Sequence, residues 1–197
     1  MNKDKLLHTL ANHGYNIGFG AKKNFASHDI VVKLPGRIGF IVLAVGILQL
    51  GYTNLGCNKE LSTLLILISV ASLYISSYNS STEKYEQEGV RLTRIFNQIR
   101  DLYYSVESST KSDFEDEIKQ MNEIMSDFYS NSISKQVFLS DWFAHFKFFY
   151  QMQIDWIDQQ LKFKFFRDKF PNSLKSSILF CFILILIIIS YEYFGCI

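Results

Sequence analysis

The feature that most restricts this chain is an apolar stretch near its C-terminal end, Leu174–Phe194. Every residue from Ile178 to Ile189 is Ile, Leu, Phe or Cys. A helix of about 20 such residues crosses a hydrocarbon layer roughly 30 Å thick, and its apolar faces leave no side to turn toward water. Lys175 lies at the start of the stretch and aromatic residues close it, as is typical of membrane interfaces. We therefore predict a C-terminal transmembrane helix within residues 173–197.

Two further apolar runs predict a transmembrane hairpin at residues 35–78. The first run is Ile38–Tyr52 and the second is Leu61–Tyr78, and neither contains a charged residue. A short polar segment separates them. Pro35 predicts that a helix starts just before the first run, because the N–H that proline lacks is left unpaired in a first helical turn anyway.

Polar side chains inside the hairpin have two interpretations. Four of the five serines of the second run fall near one face of a helix, at spacings of seven, three and four. They either form hydrogen bonds between helices, worth about 0.6 kcal/mol each, or line a water path. Small residues at Gly39, Ala44 and Gly46 favour a close approach of neighbouring helices. The candidate pore-lining residues are Gln49, Ser62, Ser69, Ser72 and Ser76.

The N-terminal segment, residues 1–34, is amphipathic and mixed in character. Glycines, among them Gly14 and Gly18, are expected to interrupt regular structure within it. One interpretation places the segment along the inner membrane face, with Lys22 and Lys23 directed toward lipid headgroups. The other packs it as a cap on cytosolic helices.

Residues 79–172 predict a cytosolic helical region. Its first helix carries an apolar stripe with a seven-residue repeat, which suits either a bundle helix or the seam of an oligomer. A second helix has an apolar face between Phe114 and Phe128. A third, Asp141–Phe170, is capped by Ser140 and carries more rings than one face can bury, so we expect the surplus to meet the membrane or a partner subunit. The repeat consists of Tyr85, Leu92, Ile99 and Val106, with Phe96 and Tyr103 between them.

Basic residues predict both lipid contacts and orientation. A cluster just before the last span would favour anionic headgroups by about 1 kcal/mol per charge. Six Lys and Arg precede the first span, one lies in the hairpin turn and thirteen lie between the second and third spans. The positive-inside rule then places the N-terminus and residues 79–172 in the cytosol and the C-terminus outside. The cluster consists of Lys162, Lys164, Arg167 and Lys169.

Several functional classes find no support in the sequence. The formal net charge is +1 and no basic stripe is present, so direct binding of nucleic acid is not expected. No catalytic, metal-binding or cofactor motif occurs, and we expect a protein that is not an enzyme. For a membrane-embedded enzyme, the only candidate polar residues near the interface would be His28, Asp29, Asp155 and Asp158. A disulfide bridge between Cys57 and Cys196 would fit the predicted topology, since both lie on the outer side.

Two stretches of the chain resemble the SLATT family. They are GYNIGFGAKKNFASHDIVVKLPG at Gly14–Gly36, directly before the hairpin, and DWFAHFKFFYQMQIDWIDQQL at Asp141–Leu161. The resemblance implies an effector of the bacterial inner membrane in nucleotide-linked antiphage defence. It also implies activation by a partner, namely a nucleotide synthase, a nucleotide-sensing protein or a reverse transcriptase. The third span departs from a minimal two-span member.

These observations predict an all-α membrane protein: a transmembrane hairpin, a cytosolic helical region and a C-terminal transmembrane helix. The leading functional hypothesis is an effector that oligomerises and forms a pore or disrupts the membrane, which arrests or kills the cell. The alternative is a non-conducting membrane anchor whose helices hold a partner protein.

Overall fold

The structure is a computed structural model that describes residues 1–52, 58–130 and 136–194. Within these residues the regular structure is helical and no strand occurs, which confirms the all-α membrane fold. Cys57 and Cys196 lie outside the described residues, so the proposed bridge between them stays a prediction. The α-helices are α1 Lys3–Gly51, α2 Asn58–Ser76, α3 Thr82–Ser108, α4 Glu115–Ser130, α5 Ser140–Gln151, α6 Asp155–Leu161 and α7 Asn172–Phe194.

Helix α1 organises the molecule, because it runs without a break from the N-terminus to the hairpin turn. Its 49 residues extend about 74 Å at 1.5 Å per residue. The side chain of Asn2 caps its start by accepting a hydrogen bond from the backbone N–H of Lys5 at 3.0 Å. The same helix therefore belongs to both the packed helices and the hairpin.

Pro35 lies inside α1, so the prediction that a helix starts there is wrong. Proline removes one backbone hydrogen bond and crowds the preceding turn, at a typical cost of about 3 kcal/mol. Here the turns before it pack against α3 and α5, and an apolar helix follows it. The helix therefore continues through Pro35, which the local sequence marks as a boundary.

The first half of α1 is the central element of a hydrophobic core. Leu6, Leu10 and Ile17 are fully buried, in contact with residues of α3, α5 and α6. The packed interpretation of the N-terminal segment is therefore confirmed, and its apolar stripe does not lie on a membrane.

Glycines in this core provide space for aromatic rings, rather than interrupting the helix as the sequence suggested. A Cβ atom at Gly14 would overlap with the indole ring of Trp156. One at Gly18 would lie 2.9 Å from ring carbons of both Phe96 and Phe148. Both glycines continue α1 without a break because their neighbours hold the helix in place and the missing side chains let large rings approach.

The seven-residue stripe of α3 faces α1 inside the same chain. All six of its predicted residues are buried, and Gly89 joins them beneath the ring of Phe25. The bundle interpretation of this stripe is confirmed. The predicted face of α4 is confirmed as well, since Phe114, Met121 and Met125 are buried against the core.

The predicted single helix from Asp141 to Phe170 is wrong. It consists of two helices, α5 and α6, followed by a π-helical turn at Phe165–Lys169. Lys162 ends α6 with a left-handed backbone, φ 50°, and its N–H bonds to the carbonyl of Asp158 at 2.8 Å. The breaks fold the chain back so that Trp156 enters the core between α1 and α3.

The apolar runs are exposed. The stretches Lys3–Gly51 and Asn58–Ser108 each contain a segment long and apolar enough to cross a membrane, and only 6% of each segment is buried. In α7 the described apolar part is shorter, Asn172–Ile187, and its residues from Ile178 onward are exposed as well. The fold thus joins a packed bundle to apolar helices that lack a protein environment.

Candidate functional site

The hairpin of α1 and α2 is the candidate site. Helix α1 is the main neighbour of α2, and the half-buried residues of α2 recur at helical spacing. This face, which is turned toward α1, contains three of the candidate pore-lining serines, whereas Ser62 is exposed beside it. The half-buried residues are Asn58, Leu61, Leu65, Ser69, Ser72 and Ser76.

Gln49 connects the two helices near the turn. Its side-chain amide donates to the hydroxyl of Ser62 and to the backbone carbonyl of Asn58, both at 3.2 Å. These hydrogen bonds satisfy the polar groups of Gln49 and Ser62 within one chain, although the surrounding residues are apolar. For Gln49 and Ser62, the structure therefore agrees with hydrogen bonding between helices, the first of the two interpretations of the polar residues.

Ser69 and Ser76, farther along α2 from the turn, form hydrogen bonds within their own helix. Ser69 donates to the carbonyl of Leu65 at 2.8 Å, and Ser76 donates to that of Ser72 at 3.1 Å. A hydroxyl that donates in this way keeps its acceptor capacity. The serine face can therefore still accept hydrogen bonds from water if α1 and α2 separate.

Two glycines of the first span, Gly39 and Gly46, do not bring α1 and α2 together. A Cβ atom added at Gly39 or Gly46 would meet no other atom within 4 Å. The close helix approach predicted at these positions does not occur between the described helices of the chain.

An ion cluster lies where α1 leaves the bundle. Asp29 pairs with Lys33, one turn along α1, at 2.5 Å and with Lys147 of α5. Burial by itself would raise the pKa of Asp29, but hydrogen bonds from Lys147 and Lys33 outweigh this and hold the pKa below its usual value. The carboxylate stays charged at neutral pH and fixes α1 to α5 just before the first span.

A buried polar contact supports the same junction. The hydroxyl of Ser27 donates to the side-chain oxygen of Gln136 at 2.7 Å, and the amide of Gln136 reaches Asn24 at 3.4 Å. Ser27 is fully buried, so this contact satisfies a group that water does not reach. Both contacts join positions more than a hundred residues apart, so local sequence patterns did not reveal them.

Comparison with protein families decides the class of this molecule. A family model described as "SMODS and SLOG-associating 2TM effector domain 6" matches residues 1–178. The chain belongs to the SLATT family. The match includes the bundle and both hairpin spans, and the two spans of the family description agree with α1 and α2. Comparisons with curated proteins and with solved structures gave no match.

SLATT membership implies a membrane effector in conflict systems. The matched region ends at residue 178, near the start of α7, so most of this helix lies beyond the SLATT match. The indole N–H of Trp142 in α5 donates to the hydroxyl of Ser173 at 2.9 Å and so connects α7 to the SLATT bundle.

The first pair of predicted headgroup contacts lies against the SLATT bundle. Lys23 pairs with Asp141 at 2.8 Å. Lys22 is half-buried, and burial, followed by the nearby charge of Lys147, lowers its pKa. Their contact with lipid stays a prediction.

The second group lies in the segment between α6 and α7. Lys162 and Lys164 are exposed, whereas Arg167 pairs with Asp168 at 2.8 Å and Lys169 lies 3.6 Å from Asp158. The hydrogen bond from Arg167 holds the pKa of Asp168 below its usual value. These four positions are close in sequence to the last span, and their contact with lipid is likewise still a prediction.

The residues available for an enzymatic site have different neighbours. Asp29 faces lysines, and the carboxylate of Asp158 accepts the backbone N–H of Phe163 at 2.8 Å. Asp155 is exposed at the start of α6, and His28 lies 3.8 Å from Asp29 and 3.9 Å from Glu86. The described contacts give no acid–base pair with a shared pocket.

Proposed function

We propose that this SLATT protein is a pore-forming or membrane-disrupting effector of an antiphage defence system in the bacterial inner membrane. Identical subunits associate through the cytosolic helices and arrange their spans around an axis. The resulting leak arrests or kills the infected cell without a catalytic step. The N-terminus and residues 79–172 lie in the cytosol and the C-terminus outside.

One observation supports this proposal above the others. A bundle with a complete core of its own continues, through the unbroken helix α1, into apolar helices that are exposed and uncharged. A continuous helix of this kind transmits a rearrangement of the bundle to the membrane, because the backbone hydrogen bonds that remain around Pro35 would have to break before its two halves moved independently.

The position of the candidate pore-lining serines means that a pore requires a change in the hairpin. Since Ser69, Ser72 and Ser76 lie on the face of α2 turned toward α1, a lumen lined by them forms only when the hairpin helices separate. Gln49 then exchanges its bond with Ser62 for water. No charged side chain lies along Ile38–Tyr52 or Leu61–Ser76, so the lumen would not select ions by fixed charge.

Induction in cells loaded with a potential-sensitive dye tests the conducting function. We expect the membrane potential to collapse before growth stops. A growth arrest with the potential intact would rule out pore formation. The control is the same protein with Phe148→Ala, which removes a core ring and should abolish the effect through loss of the folded bundle.

Cross-linking tests the separation of the hairpin. Gln49→Cys and Ser62→Cys are introduced after the native cysteines are replaced by serine, and a short bifunctional thiol reagent then links the pair. The proposal expects the linked hairpin to block depolarisation and each single-cysteine variant to remain active. Full activity of the linked protein would show that the helices need not separate.

A non-conducting anchor is the second candidate, because the bond between Gln49 and Ser62 already satisfies the polar pair inside one chain. The triple variant Gln49→Leu, Ser69→Ala, Ser72→Ala distinguishes the two. A pore loses toxicity with expression unchanged, whereas an anchor retains it. Thr63→Val is the matched control, since Thr63 is an exposed polar residue of the same helix.

Activation is expected to come from a partner encoded nearby: a nucleotide synthase, a nucleotide-sensing protein or a reverse transcriptase. The SMODS and SLOG association in the family description supports this part of the proposal. Co-expression of the chain with each neighbouring gene product, with toxicity as the measurement, identifies the partner.

A further inference from the structure

An open pocket of about 430 Å³ lies at the junction between the bundle and the hairpin. One side is the last bundle turns of α1, and the other is the first half of α5. Its walls combine two basic side chains and one carboxylate, that of Asp29, with apolar and aromatic groups. The lining includes Asp29, Lys33, Arg37, Trp142, Phe143 and Phe146, with Leu34 between the basic residues.

The pocket has a surplus of positive charge. Asp29 is shared by Lys33 and Lys147, so one carboxylate faces two ammonium groups. Arg37, one turn beyond Lys33, is exposed and forms no ion pair with any residue that the structure describes. Residues four apart lie on the same side of a helix, so Lys33 and Arg37 can approach one anion together.

The position of the pocket indicates which anion is available. The uncharged run of α1 starts at Ile38, directly after Arg37. Trp142, in the pocket wall, donates to Ser173 two residues into α7, so the pocket lies where both helices change from polar to apolar. Indole rings and basic side chains are favoured at this level of a bilayer.

We propose that this pocket binds the headgroup of an anionic phospholipid, with its phosphate between Lys33 and Arg37. The acyl chains extend from Leu34 and Phe146 along the exposed apolar surface of α1. These residues differ from the basic positions near Lys22 and Lys162 that the sequence suggested. A soluble anion would leave the apolar walls without a contact. A lipid of the adjoining bilayer would contact the basic side chains through its headgroup and the apolar walls through its acyl chains.

Lipid titration of the purified full chain in dodecyl maltoside tests the proposal. Phosphatidylglycerol and phosphatidylcholine with the same acyl chains are compared by tryptophan fluorescence. Trp142 lines the pocket and the only other tryptophan, Trp156, is buried in the core. We expect saturable binding of phosphatidylglycerol and a much weaker response to phosphatidylcholine.

Substitutions assign the binding to the pocket. At about 1 kcal/mol per charge, Arg37→Gln should weaken binding about fivefold, and Lys33→Gln with Arg37→Gln about 25-fold. Lys84→Gln with Arg94→Gln is the control, because it removes the same charge from exposed positions on α3. Arg37→Lys should restore most of the affinity. Thermal unfolding confirms that each variant is folded, and Arg37→Gln keeps the ion cluster of Asp29 intact if the double variant does not fold.

Three outcomes would overturn the proposal. One is an equal loss of affinity in the control variant, which indicates general charge attraction. Another is full competition by inorganic phosphate at concentrations comparable to the lipid, which indicates a site for a soluble anion. The third is unchanged binding in Arg37→Gln and in the double variant. None of these measurements requires a pore, so the lipid site and the proposed function can fail separately.

Discussion

The two halves of α1 have the same backbone conformation and opposite environments. In the half that ends near Val31, Leu6, Leu10 and Ile17 are fully buried by other helices. Beyond Pro35, Phe40 is 73% exposed and Leu50 is 84% exposed. The first half alternates small and large residues that match the rings of α3, α5 and α6, whereas the second half is apolar on all sides.

This difference shows that apolar content and burial by protein are separate properties. Side chains of the first half are buried because partners from distant parts of the chain cover them. Those of the second half are too evenly apolar for a single bundle to cover, and a bilayer supplies the missing environment. Substitutions made in matched pairs, one in each region, can test the distinction.

The largest difference is expected for removal of a phenylalanine ring. Phe148→Ala empties a fully buried site and should lower the free energy of unfolding by about 3–5 kcal/mol. Phe182→Ala removes an exposed ring of α7 and should leave bundle unfolding almost unchanged. Thermal unfolding in detergent measures both variants. A comparable loss for Phe182→Ala would mean that α7 is packed against protein.

A methyl group added to a glycine should give the next largest difference. Gly14→Ala forces a Cβ into the ring of Trp156 and should cost about 1–3 kcal/mol. Gly39→Ala meets no atom within 4 Å and gains helix propensity. The unfolding midpoints of the two variants give the comparison. If Gly39→Ala is also destabilising, that face of α1 contacts another helix, for example in an oligomer.

Removal of the carboxylate at the junction should have an intermediate effect. Asp29→Asn leaves Lys147 without its counter-charge in a half-buried position and should cost about 1–2 kcal/mol at pH 7. Because the folded protein lowers the pKa of Asp29, its stabilising contribution is present above the usual carboxyl pKa of about 3.9 and is lost as the pH falls through the lower, folded value. The stability difference between wild type and variant should therefore shrink below about pH 4.

Unfolding midpoints from pH 7 to pH 3 measure this trend. Glu86→Gln serves as the control, because its exposed carboxylate lies on the far side of His28 from the cluster. A difference that stays constant down to pH 3 would contradict the assigned role of the ionised Asp29.

The smallest effect is expected inside the hairpin. Gln49→Leu removes one hydrogen bond between α1 and α2 and should change hairpin stability by about 0.6 kcal/mol. Thr63→Val, on the exposed face of α2, should change it less. Hydrogen exchange of the α2 amides detects such a difference. A loss above about 2 kcal/mol would mean that the hairpin depends on this polar pair far more than typical membrane helices do.

Much of the helical pattern could be predicted from the sequence. The repeat in α3 and the apolar face of α4 are periodic, and period alone identifies the face that is buried. The hairpin and α7 could be predicted from the apolar composition of their runs. Breaks in the helices were less predictable, because Pro35 and the glycines of α1 have strong local preferences that tertiary packing overrides.

The junction was the part least accessible to sequence reasoning. The pair of Asp29 with Lys33 has helical spacing and could be read locally, but Lys147 lies on another helix. Breaks before Asp155 and at Lys162 divide a segment that reads as one continuous helix, and the short helix between them places Trp156 in the core. The pocket depends on the packing of α5 against α1, which joins positions more than a hundred residues apart.

By itself, the sequence determined that this chain is helical and that three of its segments suit lipid, because both properties follow from the order and type of side chains along one helix. The tertiary structure decided that α1 continues through Pro35 and that its glycines receive aromatic rings. It also decided that α5 places Lys147 beside Asp29, and Trp142 in one pocket with Lys33 and Arg37. Those outcomes depend on contacts between residues far apart in the chain, for which local propensity carries no information.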